Sequence, residues 1–197
     1  MKDDKRKEYI DWDSYFMGLA AMASFRCKDP NTQNGACIVD PNTFTPISIG
    51  YNGMPRGCSD DIFPWAREGE NKIETKYPFA VHAESNAIYN AARRGIALEG
   101  STLYLYSEKG YYPCETCAQA IIQSGIKLVV MAFAIKENTD KYDWEATKKM
   151  FKAADVLVEV ICGDNKKRSQ KIADDFSLIR MKSNEIVRKL WANGGAR

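Results

Sequence analysis

One histidine, one glutamate and two cysteines carry the chemistry legible in this sequence. His82, the single histidine of the chain, stands in Val81-His82-Ala83-Glu84, and residues 83–113 separate it from Cys114 in Tyr112-Pro113-Cys114-Glu115-Thr116-Cys117. One imidazole and two thiolates suit Zn²⁺, a borderline-soft ion that takes nitrogen and sulfur in tetrahedral geometry. Three protein ligands leave the fourth position to water, which such an ion acidifies; structural zinc is normally closed by four ligands. Glu84 is not needed by the metal and can therefore carry protons as a general acid–base.

Two plainer readings stay open on these residues alone. A C-x-x-C pair also serves as a redox dithiol or as half of a structural zinc site. The redox reading leaves His82-Ala83-Glu84 unexplained, and Pro113 precedes the first cysteine instead of separating the two. A structural zinc needs a fourth ligand, and with no second histidine it would come from Cys27, Cys37, Cys58 or Cys162. Catalytic zinc is the reading that uses both half-motifs.

These residues must be positioned by regular elements. Apolar residues recur at Trp12, Phe16, Leu19, Ala20 and Ala23 with the spacing of one helical face, which Asp11 or Asp13 can cap. Ala36 to Val39 and Thr45 to Ile49 read as two short strands around the Asp40-Pro41-Asn42 turn, a hairpin closed by Gly50. From Tyr51 to Pro78 glycine and proline break every period. Such a long irregular stretch in a compact domain is usually functional, and a pocket or interface is expected there, with a helical part around Trp65 to Ile73. His82 to Arg94 reads as a helix stopped by Gly95, and Cys114 to Ser124 as a second stopped by Gly125. Leu103 to Leu105, Leu128 to Phe133 and Val156 to Ile161 are further strands. Trp144 to Ala154 and Ser169 to Leu190 complete the helices. Strands alternating with helices give an α/β sandwich. Both half-motifs then fall at helix N-termini, whose positive ends favour thiolate over thiol.

Composition narrows the class of partner. The 28 basic and 26 acidic residues leave a net charge of +2, without the basic excess of a protein that tracks a nucleic-acid polymer. A small anionic substrate fits better. No apolar run reaches a membrane span, and Met1 to Glu8 lacks an apolar signal core. Six cysteines, two of them claimed by the metal, read as thiols of a reducing, cytoplasmic setting. Residues 1–10 read as a charged lead-in, 11–163 as one zinc-dependent domain, and 164–197 as a C-terminal helical extension.

The combination H-x-E…P-C-x-x-C is an established signature of zinc-dependent nucleobase deaminases. Beyond it, Lys28-Asp29-Pro30-Asn31, Gly35-Ala36-Cys37-Ile38-Val39, Gly50-Tyr51-Asn52-Gly53-Met54-Pro55, Gly57-Cys58-Ser59-Asp60-Asp61, Pro64-Trp65, Thr75-Lys76-Tyr77-Pro78 and Ile121 to Lys127 all resemble the deoxycytidylate deaminases of the cytidine deaminase superfamily. The resemblance spans roughly residues 12 to 162, and the irregular segment is its most specific part. It implies a three-layer α/β/α sandwich around a mixed, roughly five-stranded sheet.

It also implies hydrolysis of dCMP to dUMP and ammonia in support of thymidylate synthesis. Water activated at Zn²⁺ would attack C4, with His82, Cys114 and Cys117 as ligands and Glu84 as proton carrier. Ala83 and Pro113 would read the base through their backbone, Asn52 the deoxyribose, and Asn31, Thr32 and Gln33 the phosphate; turn chemistry after a helix is the plain alternative for the last three. Members are typically homo-hexamers activated by dCTP with Mg²⁺ and inhibited by dTTP. That points to Tyr51, Asn52, Gly53, Asn90 and Arg93 as the regulatory site, although a basic residue late in a helix also suits its dipole.

Two departures stand out. The link Tyr106-Ser107-Glu108-Lys109-Gly110-Tyr111-Tyr112 is longer than is common in the family, which opens the question of a modified cytosine substrate. The tail beyond Gly163 is also long, and a surface or oligomer-contact helix is its simplest role. Competing functions are a superfamily deaminase acting on a free nucleoside or tRNA adenosine, and a non-catalytic nucleotide sensor that keeps the fold. The irregular segment and the lack of basic excess oppose the first. Glu84 opposes the second, because a structural metal has no use for it.

Overall fold

The computed structural model of the chain describes residues 5–107, 109–132 and 144–161. Five strands form one mixed sheet in the order β2-β1-β3-β4-β5, comprising β1 (Asn34–Asp40), β2 (Thr45–Tyr51), β3 (Thr102–Ser107), β4 (Leu128–Met131) and β5 (Leu157–Val160). β1 pairs antiparallel with both β2 and β3, whereas β3, β4 and β5 run parallel. Helix α1 (Trp12–Ser24) packs on one face, and α2 (Ala83–Arg93), α3 (Glu115–Gln123) and α4 (Trp144–Ala153) on the other. The three-layer sandwich expected from the sequence is thus present. The expected helix from Ser169 to Leu190, the extension 164–197 and Phe133 lie outside the described residues.

Side chains alternate across a strand, and the two cores divide accordingly. Ala36, Ile38, Leu103, Leu105, Val129 and Met131 face α2, α3 and α4, while Cys37, Val39, Tyr104, Tyr106 and Val130 face α1. β1 and β3 are buried on both faces, as central strands should be.

Asp11 caps α1 by accepting from Ser14 N at 2.8 Å, while Asp13 accepts from the Tyr104 hydroxyl at 2.9 Å. Of the expected apolar face, Phe16, Ala20 and Ala23 are buried. Trp12 remains 53% exposed, stacked on Phe16 and Phe44 at the helix start. Glycine sets how closely the helices approach the sheet. A Cβ on Gly50 would lie 2.3 Å from Ala87 N, and one on Gly35 1.9 Å from Ala20 O. Ser48 adds a hydrogen bond from its hydroxyl to the Ala87 carbonyl at 2.7 Å, so β2 fixes the height of α2.

The stretch after β2 departs from expectation in one respect. No helix spans Trp65 to Ile73; a single 3₁₀ turn, Lys72–Glu74, is all that forms. Side chains take the backbone groups that a helix would have used. Glu74 Oε2 accepts from Glu70 N at 2.8 Å and the Thr75 hydroxyl donates to Lys72 O at 2.8 Å, while Glu74 Oε1 accepts from the Asn71 side-chain Nδ2 at 2.9 Å.

Candidate active site

His82 is the N-cap of α2 and Cys114 the N-cap of α3, each with extended backbone. The two helices lie side by side on one face of the sheet, so their N-termini converge. His82 Nδ1 stands 3.4 Å from both the Cys114 and Cys117 Sγ atoms, and all three donors lie within 4.8 Å of one another. Bond lengths of tetrahedral zinc put neighbouring N and S ligands about 3.5 Å apart. The donor set therefore fits Zn²⁺ in both chemistry and spacing.

None of the other described cysteines, Cys27, Cys37 and Cys58, joins this group. A structural fourth ligand is absent among the described residues, and Cys162, the remaining candidate, lies outside them. The Cys117 thiol and the His82 ring hydrogen-bond to Cys114, and together they hold its thiol well below the usual range against the effect of burial. The same bond, with burial, pushes Cys117 up. A cation seated here displaces the shared proton, which links metal affinity to pH. The Ser85 hydroxyl, 3.5 Å from Cys117 Sγ, supports that sulfur from the first turn of α2.

Glu84 sits one residue inside α2, 4% exposed, and its Oε2 has no hydrogen-bond partner among the described residues. Burial pushes its carboxyl above the ordinary range, against the pull of His82. An orphaned buried carboxylate oxygen calls for an explanation, and a reacting water or base supplies one. Glu84, His82 and Cys114 line a cleft whose walls also include Leu105, Tyr111 and Tyr112 on one side and Asp29, Thr32, Asn34, Asn52, Arg67, Lys76, Tyr77 and Ala80 on the other. The segment 51–78 does shape a pocket.

The residues expected around the substrate divide. Thr32 and Asn52 line the cleft, whereas Asn31, Gln33, Ala83 and Pro113 do not. Ala83 and Pro113 are nevertheless fully buried next to the metal ligands. The Asn52 amide is already engaged: Oδ1 accepts from Asn34 N at 2.7 Å and Nδ2 donates to Thr32 O at 2.8 Å. Asp29 organises the neighbouring turn. Its Oδ1 accepts from Asn31 N at 2.9 Å and Thr32 N at 3.2 Å, Gln33 Nε2 donates to its carbonyl, and Lys76 Nζ pairs with its Oδ2 in a buried ion pair.

Asp29, Arg67, Lys76 and Tyr77 were not singled out as site residues from the sequence. The signal available was the pair of segments Lys28-Asp29-Pro30-Asn31 and Thr75-Lys76-Tyr77-Pro78, whose opposite charges meet only in three dimensions. Of the residues expected at a regulatory site, Asn90 Nδ2 donates to Ile49 O at 2.9 Å and its Oδ1 accepts from Arg56 at 2.9 Å. Gly53 forms a bridge with Val81, while Tyr51 and Arg93 are exposed.

Fold and site together define a metal-dependent hydrolytic centre set on the starts of two adjacent helices, and comparison with known proteins narrows the class. The family profile "Cytidine and deoxycytidylate deaminase zinc-binding region" matches residues 10–133. Human deoxycytidylate deaminase is 40% identical over 181 residues, 92% of this chain and 94% of its own. A probable deoxycytidylate deaminase of Drosophila melanogaster is 45% identical over 157 residues, 77% of this chain and 73% of its own. The crystal structure of a dCMP deaminase from the cyanophage S-TIM5, in complex with dCMP and dUMP, superposes with a TM-score of 0.57 at 23% identity. The match covers 78% of this chain and 98% of that one, a likeness of fold. The chain belongs to the cytidine and deoxycytidylate deaminase family of zinc enzymes.

Proposed function

We propose that the chain hydrolyses dCMP to dUMP and ammonia. The observation that carries this reading is the buried Glu84 oxygen, unpartnered among the described residues, in one cleft with His82 and Cys114 of the His82–Cys114–Cys117 donor group. Zn²⁺, when bound by these three residues, supplies the Lewis acidity that makes a nucleophile of water at neutral pH. Glu84 accepts a proton from the attacking water and delivers it to N3 as the C4–O bond forms. It then carries the proton of the new hydroxyl to the amine as the C4–N bond breaks. Its burial suits both halves of that shuttle, since it raises the carboxyl above its ordinary range and makes it a better proton acceptor. The first-turn N–H of Ala83 has no intrahelical acceptor and the Pro113 carbonyl offers an acceptor, which equips them to read the base. Asn52, with its amide fixed, borders the deoxyribose, and the Asn31-Thr32-Gln33 turn the phosphate end.

The same reading extends to regulation and assembly. A dCTP–Mg²⁺ or dTTP site is placed at Tyr51, Asn52, Gly53, Asn90 and Arg93, supported by the position of these residues along the β2 edge and the outer side of α2. A homo-hexamer, a domain over 11–163 with the lead-in 1–10 and extension 164–197, and a cytoplasmic setting belong to this proposal. The free thiols support the setting, and no described helix is long and apolar enough to cross a membrane.

Ammonia release from dCMP, dCTP, deoxycytidine and 5-methyl-dCMP, each with and without added dCTP or dTTP, tests the proposal. Turnover of dCMP that dCTP raises and dTTP lowers is the expected result. Turnover of 5-methyl-dCMP alone would move the assignment to a modified deoxycytidylate and implicate Tyr111, which the long 107–112 link brings into the cleft. No turnover of any, with zinc bound, would leave a nucleotide sensor.

A further inference from the structure

We infer that Arg67 is the residue that selects a 5′-phosphorylated substrate, its guanidinium taking the phosphate at the mouth of the catalytic cleft. The inference rests on the dCMP reading above and deepens it.

Two cationic side chains line the cleft among the described residues, Arg67 and Lys76. Lys76 is committed: its ammonium lies buried against the Asp29 carboxylate, so the pair presents little net charge. Arg67 differs. It is exposed at the rim, and no carboxylate among the described residues comes within salt-bridge distance. Its hydrogen bond is to a neutral group, Nε donating to the Tyr77 hydroxyl at 3.1 Å. Lys76 N donates to Ala66 O at 2.9 Å, so the backbone beside Tyr77 is tied to the backbone beside Arg67. A guanidinium held through Nε keeps both terminal nitrogens for a second partner, the fork that matches a phosphate.

The neighbouring turn cannot supply that charge. The N–H groups of Asn31 and Thr32 point to Asp29 Oδ1, and the Gln33 amide is spent on the Asp29 carbonyl. The turn gives the phosphate end its shape, and Arg67 gives it its sign. Tyr77 is a positioning residue, acting through Arg67.

The test uses the zinc-loaded full chain and the variants R67Q, R67K and Y77F. R67Q should lower kcat/KM for dCMP about 10- to 100-fold, mainly through KM, the scale of a charge-assisted contact. The preference for dCMP over deoxycytidine should shrink by the same factor. R67K should restore part of it, and Y77F should move the ratio in the same direction by less. In calorimetry, binding of dUMP should weaken in R67Q, while binding of deoxyuridine should not follow. A dCMP preference left intact in R67Q, or equal losses on dCMP and deoxycytidine, would overturn the role of Arg67 and leave the dCMP reading standing. A wild-type chain that turns over deoxycytidine as well as dCMP would overturn both.

Discussion

The two ends of the cleft are built by different means. At the metal end every functional group hangs from the first turn of a helix, and those helices are seated on the sheet through small contacts such as Gly50 beneath Ala87. At the opposite wall, residues 52–80 contain no strand and one 3₁₀ turn, and their shape is kept by side chains bonding to backbone and by the buried Asp29–Lys76 pair. Reaction chemistry tolerates little displacement and sits on regular elements. Substrate selection, as proposed, sits on turns, where a change of side chain re-aims a contact without moving the sheet.

That contrast predicts separable losses. C117S removes a thiolate ligand, so zinc content and turnover should fall together, as chelation should do to the wild type; metal analysis alongside an activity assay checks this. E84Q should cut turnover by at least about 10²- to 10⁴-fold with full zinc content. Surviving turnover would break the assignment of the proton carrier. D29N belongs to the other wall. It leaves the Lys76 ammonium buried beside a neutral amide at a cost of about 3–5 kcal/mol, yet zinc should stay bound and KM should rise more than kcat falls. Zinc loss in D29N would show that the two ends are not independent. G50A pushes a methyl into the backbone of α2, and overpacking of that kind costs about 1–3 kcal/mol. Because α2 carries His82 and Glu84, chemical denaturation should show the loss and kcat should fall with KM little changed.

The smallest effect is expected at the hairpin, away from both ends. Asp40 is half-buried at the end of β1, and its carboxylate accepts from Asn42 N at 2.9 Å and the Thr43 hydroxyl at 2.8 Å, which holds its pKa below 3.8. A folded pKa below the unfolded one means stabilisation present in full above the unfolded value and lost as pH falls through the folded one. The melting midpoints of wild type and D40N should therefore differ slightly at neutral pH and converge only below pH 3.8.

The same division decides what the sequence reveals. Metal ligation restricts residue type so strongly that His82, Cys114 and Cys117 are legible from spacing, and the glycines at 95 and 125, both with positive φ, mark where their helices stop. The strands β1 and β3 are legible from unbroken apolar runs. The wall between Tyr51 and Pro78 is legible only as an irregular stretch. Glu74 suits a helix in composition, but its carboxylate accepts from Glu70 N and from the Asn71 side-chain amide, and the Thr75 hydroxyl donates to Lys72 O. The Asp29–Lys76 pair joins positions 47 residues apart, a separation no local period encodes. Resemblance pointed to Asn52 as a substrate contact. In the structure both ends of its amide hold the fold, bonded to Asn34 N and Thr32 O.

That amide has a consequence for how the protein ages. Asn-Gly is the dipeptide most prone to lose its own side-chain amide, because the glycine nitrogen can swing round to attack the asparagine carbonyl carbon. In Asn52-Gly53 the glycine N–H is fastened to Val81 O at 3.0 Å and the amide is pinned from both ends. The folded chain thus shields from spontaneous deamidation a bond of the kind its active site is built to hydrolyse. The conversion of Asn52 to aspartate and isoaspartate during storage would then act as a slow clock of how often this corner of the molecule opens.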